Sequence, residues 1–427
     1  MLPDPRYHWR RLGSRLHRLR LAVHARGWRG ALARLAERPP APADPAAPGR
    51  PEPAAPLPAA GDGRRVLLVD VSTPRPDRDS GSLRAFNLMR VLAESGDRVE
   101  FLPDDRVDAG AYTDALRLLG VVVHTGAGAY PHWFARHLRG FDVLVVSRYH
   151  LAEFLVPLAR RIAPGTRIVL DTVDLHHLRE RREADLGGDR RLRRLAAITR
   201  RRELRAVAEA DVTWVVSPVE AALLREALPQ ARVEVLPNLH QVEETPAGFA
   251  EREGLLFVGG ARHPPNVDAL RWLLAEIFPL VRARLPDCAL HVVGDGLAAA
   301  VAGLPLPPGV RLHGHVPDLS PLLRRCRVGL APLRFGAGVK GKINLCMAAG
   351  MPVVATACAA EGMHARDGVE LLVADAAAAF AEAVARLHGD EALWTRLARA
   401  GTDNVRNHFS FDSARATIAA SFPTARC

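Results

Sequence analysis

The stretch GAGVKGKINLCMAAGMPVVAT, residues 336–356, holds Lys340 and Lys342, the only lysines among the chain's 58 basic residues. Every other cation is an arginine. An ammonium is a compact point charge on a flexible stem, whereas a guanidinium is a broad planar fork. Two lysines kept one residue apart in a glycine-rich loop therefore point to a narrow anion site. Gly336 and Gly338 let the backbone come close to a ligand and turn N–H groups toward it. The loop follows the strand-like run GLAPL (329–333) and leads into a short helix expected over 342–349, whose N-terminus adds partial positive charge. Strand, glycine loop, paired cations and helix N-terminus make a diphosphate cradle. GxxxxGK[ST] spacing does not occur here, which argues against an ATPase. A second glycine run, VVGDGLAA (292–299), fits G-x-G-x-x-A after a strand. The next strand offers histidines first and Asp318 only behind Pro317, so a dinucleotide site is not the favoured reading.

Other residues could take part in the same chemistry. DTVDLHH (171–177) ends a strand with Asp171, Asp174, His176 and His177 near its mouth. A carboxylate or imidazole there can bind acceptor hydroxyls or assist proton transfer, and Asp174 and His176 are the catalytic candidates. Ser80 and Gly81, in DSGS, form a helix-start loop that can approach a ligand closely, with a serine as cap. Arg262, in GGARHPPN, can reach in from the first turn of the second half, and Glu361, in AAEGM, lies where ligand-side groups gather. Five scattered cysteines form no CxxC pair or Cys/His cluster, so neither a disulfide framework nor a zinc site is expected, and a reducing compartment fits.

The elements that must position these residues read as an α/β alternation. RVLLVDV (65–71) leads into a helix over 81–95, and RVEFL, VVVH, DVLVVS, RIVLDTV, DVTWVVS and VEVLP follow between helical stretches. The pattern restarts at GLLFVGG (254–260), with a helix capped by Asn266, then CALHVVGDG, GVRLHGH, CRVGLAPL, MPVVAT and VELLVAD; 376–421 is helical. Continuous apolar strands between helices mean parallel sheets covered on both sides. We expect two Rossmann-like domains, residues 64–245 and 246–405, with the site in the cleft between them and a helical segment, 406–427, at the end. The uncharged run 343–360 is cut by Gly350-Met351-Pro352 and reads as helix, turn and strand rather than a membrane span.

The net charge of +11 is concentrated in residues 1–38, where ten arginines face only Asp4 and Glu37. The near-neutral remainder argues against nucleic acid as a ligand. No apolar h-region marks a secretory signal. Leucines and tryptophans at helical spacing among arginines describe a basic amphipathic arm able to lie on an anionic membrane. Residues 39–63 are Pro/Ala-rich and are expected to be an extended linker, so the folded body is expected to begin near Arg64.

FVGG, PPNVDAL, HVVGDG, VRLHGHVPDL, CRVGLAPLRFGAGVKGKI and MAAGMPVVATACAAEGM, in that order, resemble the donor half of a family 4 (group 1) glycosyltransferase with the GT-B fold. DVSTPRPDRDSGSLRAFNL (70–88) and DTVDLHHLRERRE (171–183) resemble the acceptor domains of the same group. The resemblance implies a retaining, metal-independent enzyme without a cofactor, moving a sugar from a nucleotide-sugar donor to a cell-envelope glycan or glycolipid acceptor. It would act in the cytoplasm, peripherally at the inner face of the membrane. Lys340 and Lys342, with Arg262, would neutralise the leaving diphosphate. One departure stands out: Leu345 occupies the place of a glutamate that commonly binds the ribose, and Ala337 that of the upstream glutamate of the paired motif. Asn344 or Glu361 would then have to take over. A nucleotide-sugar epimerase of the same fold and a non-catalytic glycan- or partner-binding protein are the competing readings.

Overall fold

A strand buried on both faces needs an unbroken apolar run, and RVLLVD supplies one: after Arg65 every residue of β1 is buried. The computed structural model describes residues 5–36, 63–126 and 130–422; the expected linker, 39–63, lies outside them except for Gly63. The first domain runs α1 (Pro5–Ala36), β1 (Arg65–Asp70), α2 (Ser80–Glu94), β2 (Arg98–Pro103), α3 (Ala111–Leu118), β3 (Val122–Val123) and α4 (Tyr130–His137). It continues with β4 (Val143–Ser147), α5 (Tyr149–Ile162), β5 (Arg167–Asp171), α6 (His176–Leu186), α7 (Arg190–Glu209), β6 (Val212–Val215), α8 (Pro218–Ala227) and β7 (Val233–Val235). Its seven strands are all parallel, in the order β3-β2-β1-β4-β5-β6-β7. Apolar side chains on the two sheet faces form two separate cores, one under α5 and one under α2.

The second domain runs β8 (Leu255–Val258), α9 (Pro264–Trp272), α10 (Phe278–Arg284), β9 (Leu290–Val293), α11 (Leu297–Ala300), β10 (Val310–Gly314) and α12 (Ser320–Arg325). Then come β11 (Val328–Ala331), α13 (Gly341–Ala348), β12 (Val353–Ala355), α14 (Ala357–Ala360), β13 (Leu372–Val373), α15 (Ala377–Gly389), α16 (Glu391–His408) and α17 (Phe411–Ser421). Its six strands are parallel in the order β10-β9-β8-β11-β12-β13. The expected α/β class with two Rossmann-like domains is therefore what the chain forms. α17 crosses back to the first domain: Phe422 stacks on Trp214 at 5.7 Å, and Trp214 Nε1 donates to Ser421 Oγ at 2.9 Å.

Two expectations are corrected. Asn266 does not cap α9; His263 holds the N-cap position, and Asn266 sits in the first turn, buried. Its amide nitrogen donates to Gly260 O at 3.0 Å and its oxygen receives Lys342. Nor does the folded body begin at Arg64. Tyr7, Ser14 and His17 of α1 are buried, Tyr7 edge-on to Phe154 at 5.5 Å, and Ser14 Oγ donates to His150 O at 3.0 Å. The basic segment is a helix docked on α5 and α7. It is interrupted at Gly27, whose φ of 67° only glycine adopts without strain.

Candidate functional site

Strand order reverses between β1 and β4 in one sheet and between β8 and β11 in the other. Ligands of such sheets sit at the carboxyl ends of the strands beside that reversal. Both reversals open onto the cleft between the domains. Arg148 directly follows β4 with φ 72°, and its Nε donates to Asp70 Oδ1, at the end of β1, at 3.1 Å. Burial works against its charge, but Asp70, Asp79 and Asp174 more than offset this and hold its pKa above the ordinary arginine value.

The lysine loop closes the opposite side. It joins β11 to α13, whose first residue is Gly341, one position from the expected start. Lys340 Nζ donates to Gly338 O at 2.6 Å and to Ala337 O at 3.2 Å. Lys342 Nζ donates to Asn266 Oδ1 at 2.7 Å and lies 4.7 Å from the centre of the Phe257 ring. Among the described residues neither ammonium has a carboxylate partner in an ion pair. Burial lowers both pKa values, that of Lys342 to about 7. A buried cation without a counter-charge is costly unless an anion joins it. Gly338, at φ 66°, faces the first domain: a Cβ there would lie 3.1 Å from Val216 and 3.2 Å from Asp174.

The facing mouth is the turn from β5 to α6. Val173 sits at φ 65°, a genuine outlier for a β-branched residue. Two buried glutamates hold the turn from behind. Glu220, on α8, accepts the Leu175 N–H at 2.9 Å, and Glu203, on α7, accepts the N–H groups of His176 and His177 at 2.8 and 3.1 Å. Glu203 thus satisfies donors at the start of α6 that have no partner within the helix. Burial pushes Glu220 up to about 7. Asp174 is paired with Arg179, and His176 Nδ1 is 3.3 Å from its Oδ1. Burial would raise the Asp174 pKa, but Arg179 above all, with His176, His263 and Arg148 around it, holds it below the usual carboxylate range. Asp174 is therefore an ionised group that orients His176 and can accept a hydroxyl.

The two domains meet closely across this cleft. A Cβ on Gly341 would lie 2.6 Å from the Ser80 Cβ, so the N-termini of α13 and α2 face each other. Gly81 packs beside Arg148 and Val173, where a Cβ would meet both at 3.4 Å. Arg182 bridges from α6 to Glu361 with two bonds of 2.8 Å and donates to Gly336 O at 2.8 Å. His315 Nε2 is 3.0 Å from Asp77 Oδ2, and Arg78 pairs with Asp295. His263 is held neutral, at a pKa of about 3, by burial and by nearby Arg179, Lys342 and Lys340, with Asp174 opposing.

Residues 252–390 match the family model described as glycosyl transferases group 1. A sucrose-phosphate synthase from Thermosynechococcus elongatus superposes with a TM-score of 0.64 at 16% identity, over 84% of this chain and 98% of that one. HepE of Anabaena, in complex with UDP and glucose, gives 0.61 at 15% identity over 84% and 99% of the two chains. TarM gives 0.64 at 8% identity over 84% and 99%. The fold is GT-B. No curated protein matches the sequence.

Within this GT-B frame the structure brings together Lys340, Lys342, Gly336, Gly338, Asp174, His176, Ser80 and Gly81 at one cleft. Arg262 is exposed, and the adjoining His263 lies among the cleft charges. Asn344 is fully buried, and its side-chain amide atoms have no hydrogen-bond partner within the protein. Glu361 is engaged by Arg182, and half-buried Leu345 packs against the core of the second domain. Sequence reasoning passed over Arg148, Arg182, His263, Glu203 and Glu220. Only Arg148 left a signal, an arginine directly after an uncharged strand.

Proposed function

We propose that this protein is a retaining, metal-independent glycosyltransferase that moves a sugar from a nucleoside diphosphate sugar to a cell-envelope glycan or glycolipid. The observation that carries the reading is the pair of ammonium groups at the N-terminus of α13, Lys340 buried and Lys342 half-buried, neither in an ion pair with a carboxylate among the described residues, opposite the N-terminus of α2. A departing nucleoside diphosphate gains negative charge, and fixed cations and helix N-termini placed where it develops favour that step. Lys340, Lys342 and the backbone of Gly341 supply this on the donor side. Across the cleft, Asp174 and His176 meet the hydroxyls of the transferred sugar or of the acceptor. Retention is supported by the likeness to group 1 enzymes over 252–390. UDP-glucose is the first donor to test, since the GT-B neighbour HepE is seen with UDP and glucose.

The test measures UDP release from nucleotide sugars with and without a lipid-linked glycan, in the presence of a chelator, with the product anomer read by NMR. Acceptor-dependent release that survives chelation and retains the anomer is expected. Protein that binds neither UDP nor any other nucleoside diphosphate would overturn the proposal. Leu345 favours a second reading, a GT-B protein that binds a nucleotide sugar without transferring it; UDP binding with no release under any acceptor would decide for it.

A further inference from the structure

Helix α1 has two faces, and the fold accounts for only one. Tyr7, Ser14 and His17 pack inward. At 3.6 residues per turn, Trp9, Leu12, Leu16, Leu19 and Val23 fall on the opposite side, at spacings of three and four. Trp9 is 72% exposed, Leu12 47% and Leu16 46%, while Leu19 and Val23 are partly covered. Exposed Arg15 and Arg20 border the stripe, and no acidic residue occurs anywhere between Pro5 and Ala36.

That border decides the occupant. The spacing also fits a coiled-coil seam, but pairing with a second copy would set Arg15 and Arg20 at the flanking positions of both helices, cation against cation. An anionic surface is the complement. Tryptophan at a polar–apolar boundary, leucines along one line and arginines beside them suit the headgroup layer of a bilayer. No helix among the described residues is long and apolar enough to cross a membrane. We propose that the outer face of α1 is a docking surface for anionic phospholipid, with the helix lying in the plane of the interface.

The inner face ties this surface to the cleft. Ser14 Oγ holds His150 O, and the His150 and Tyr149 rings stand 6.0 and 5.2 Å from that of His176. His17 Nε2 is 2.8 Å from Thr199 Oγ1, which donates to Glu180 Oε2, on α6, at 2.6 Å. Burial pushes His17 down to about 4, so this link is uncharged near neutrality. A docked α1 therefore fixes the mouth of Asp174 and His176 relative to the bilayer. Resting on the transferase reading above, the acceptor class served by this geometry is a lipid-linked glycan.

The test is co-sedimentation of the full chain with vesicles of phosphatidylglycerol mixed with phosphatidylcholine, against pure phosphatidylcholine, over a salt series. The wild type should pellet with the anionic vesicles, less as salt rises. The variant Trp9→Ser, Leu12→Ser, Leu16→Ser alters only exposed side chains. It should keep its melting temperature and UDP affinity while its partitioning falls about tenfold. Equal sedimentation of variant and wild type, no preference for phosphatidylglycerol, or a wild-type dimer that the variant turns into a monomer would each overturn the proposal. UDP binding separates the two readings: vesicle binding without UDP binding sinks the transferase assignment and leaves the docking surface standing.

Discussion

Lys342 is a charge that the fold alone holds at a loss. Half-buried at the start of α13, it is desolvated enough that its pKa is lowered to about 7 from an ordinary 10.5. The folded value is the depressed one, so its contribution to stability is fully present above about 10.5 and is lost as pH falls through about 7. A bound diphosphate would reverse this by restoring the proton. Nucleoside diphosphate binding should then take up protons near neutrality and weaken as pH rises above about 7, read by calorimetry in buffers of different ionisation enthalpy. Affinity that is flat with pH would remove Lys342 from the site. Lys340→Ala should cost roughly 1.5–3 kcal/mol in UDP binding and far less for uridine. Leu345 poses the opposite question. It packs on the apolar core of the second domain, so Leu345→Glu would push a carboxylate toward apolar surroundings. Lower turnover and a lower melting temperature are expected; faster transfer would mean that the position is a decayed ribose site.

At the scale of elements the cleft is set by helix ends and the turns before them. α2 and α13 touch through Ser80 and Gly341. Gly341→Ala puts a methyl into that contact while improving local helix propensity by up to about 1 kcal/mol. Turnover should fall while the melting temperature holds or rises, and small-angle scattering should show a more open molecule. Unchanged turnover would mean that this closed contact is not the working state. The β5–α6 turn depends on Glu203 in the same way. It was hidden from sequence reasoning because the bond runs from α7 to the start of α6, 26 and 27 residues away along the chain. Asn266 misled for a related reason: its type suits a cap, but Gly259 leaves room for its amide to fold under the loop, where it meets Lys342.

For the whole molecule the question is what belongs to the folded body. Composition marks residues 1–38 as a separate basic arm, yet α1 buries Tyr7 against Phe154 and ties into α7. Tyr7→Ala should destabilise the protein by about 3 kcal/mol, as large-to-small changes of buried aromatics do. A thermal melt identical to wild type would return α1 to the status of an appendage. α17 shows the same dependence on distant partners. Its sequence reads simply as a helix, and only Trp214, on β6, explains why Ser421 and Phe422 end where they do.

The sequence by itself determined what is local or periodic. Uninterrupted apolar runs called for buried parallel strands, their restart at Gly254 called for two domains, and two lysines among arginines singled out the loop before α13. Those signals are carried by neighbours in the chain, so they survive without coordinates. Tertiary structure decided the partners. Which carboxylate faces Arg182, which histidine stands among the cleft charges, and which face of α1 is left for something else all depend on residues that meet only when the two sheets face each other. Electrostatic and packing energies fall off with distance in space, not with separation along the chain.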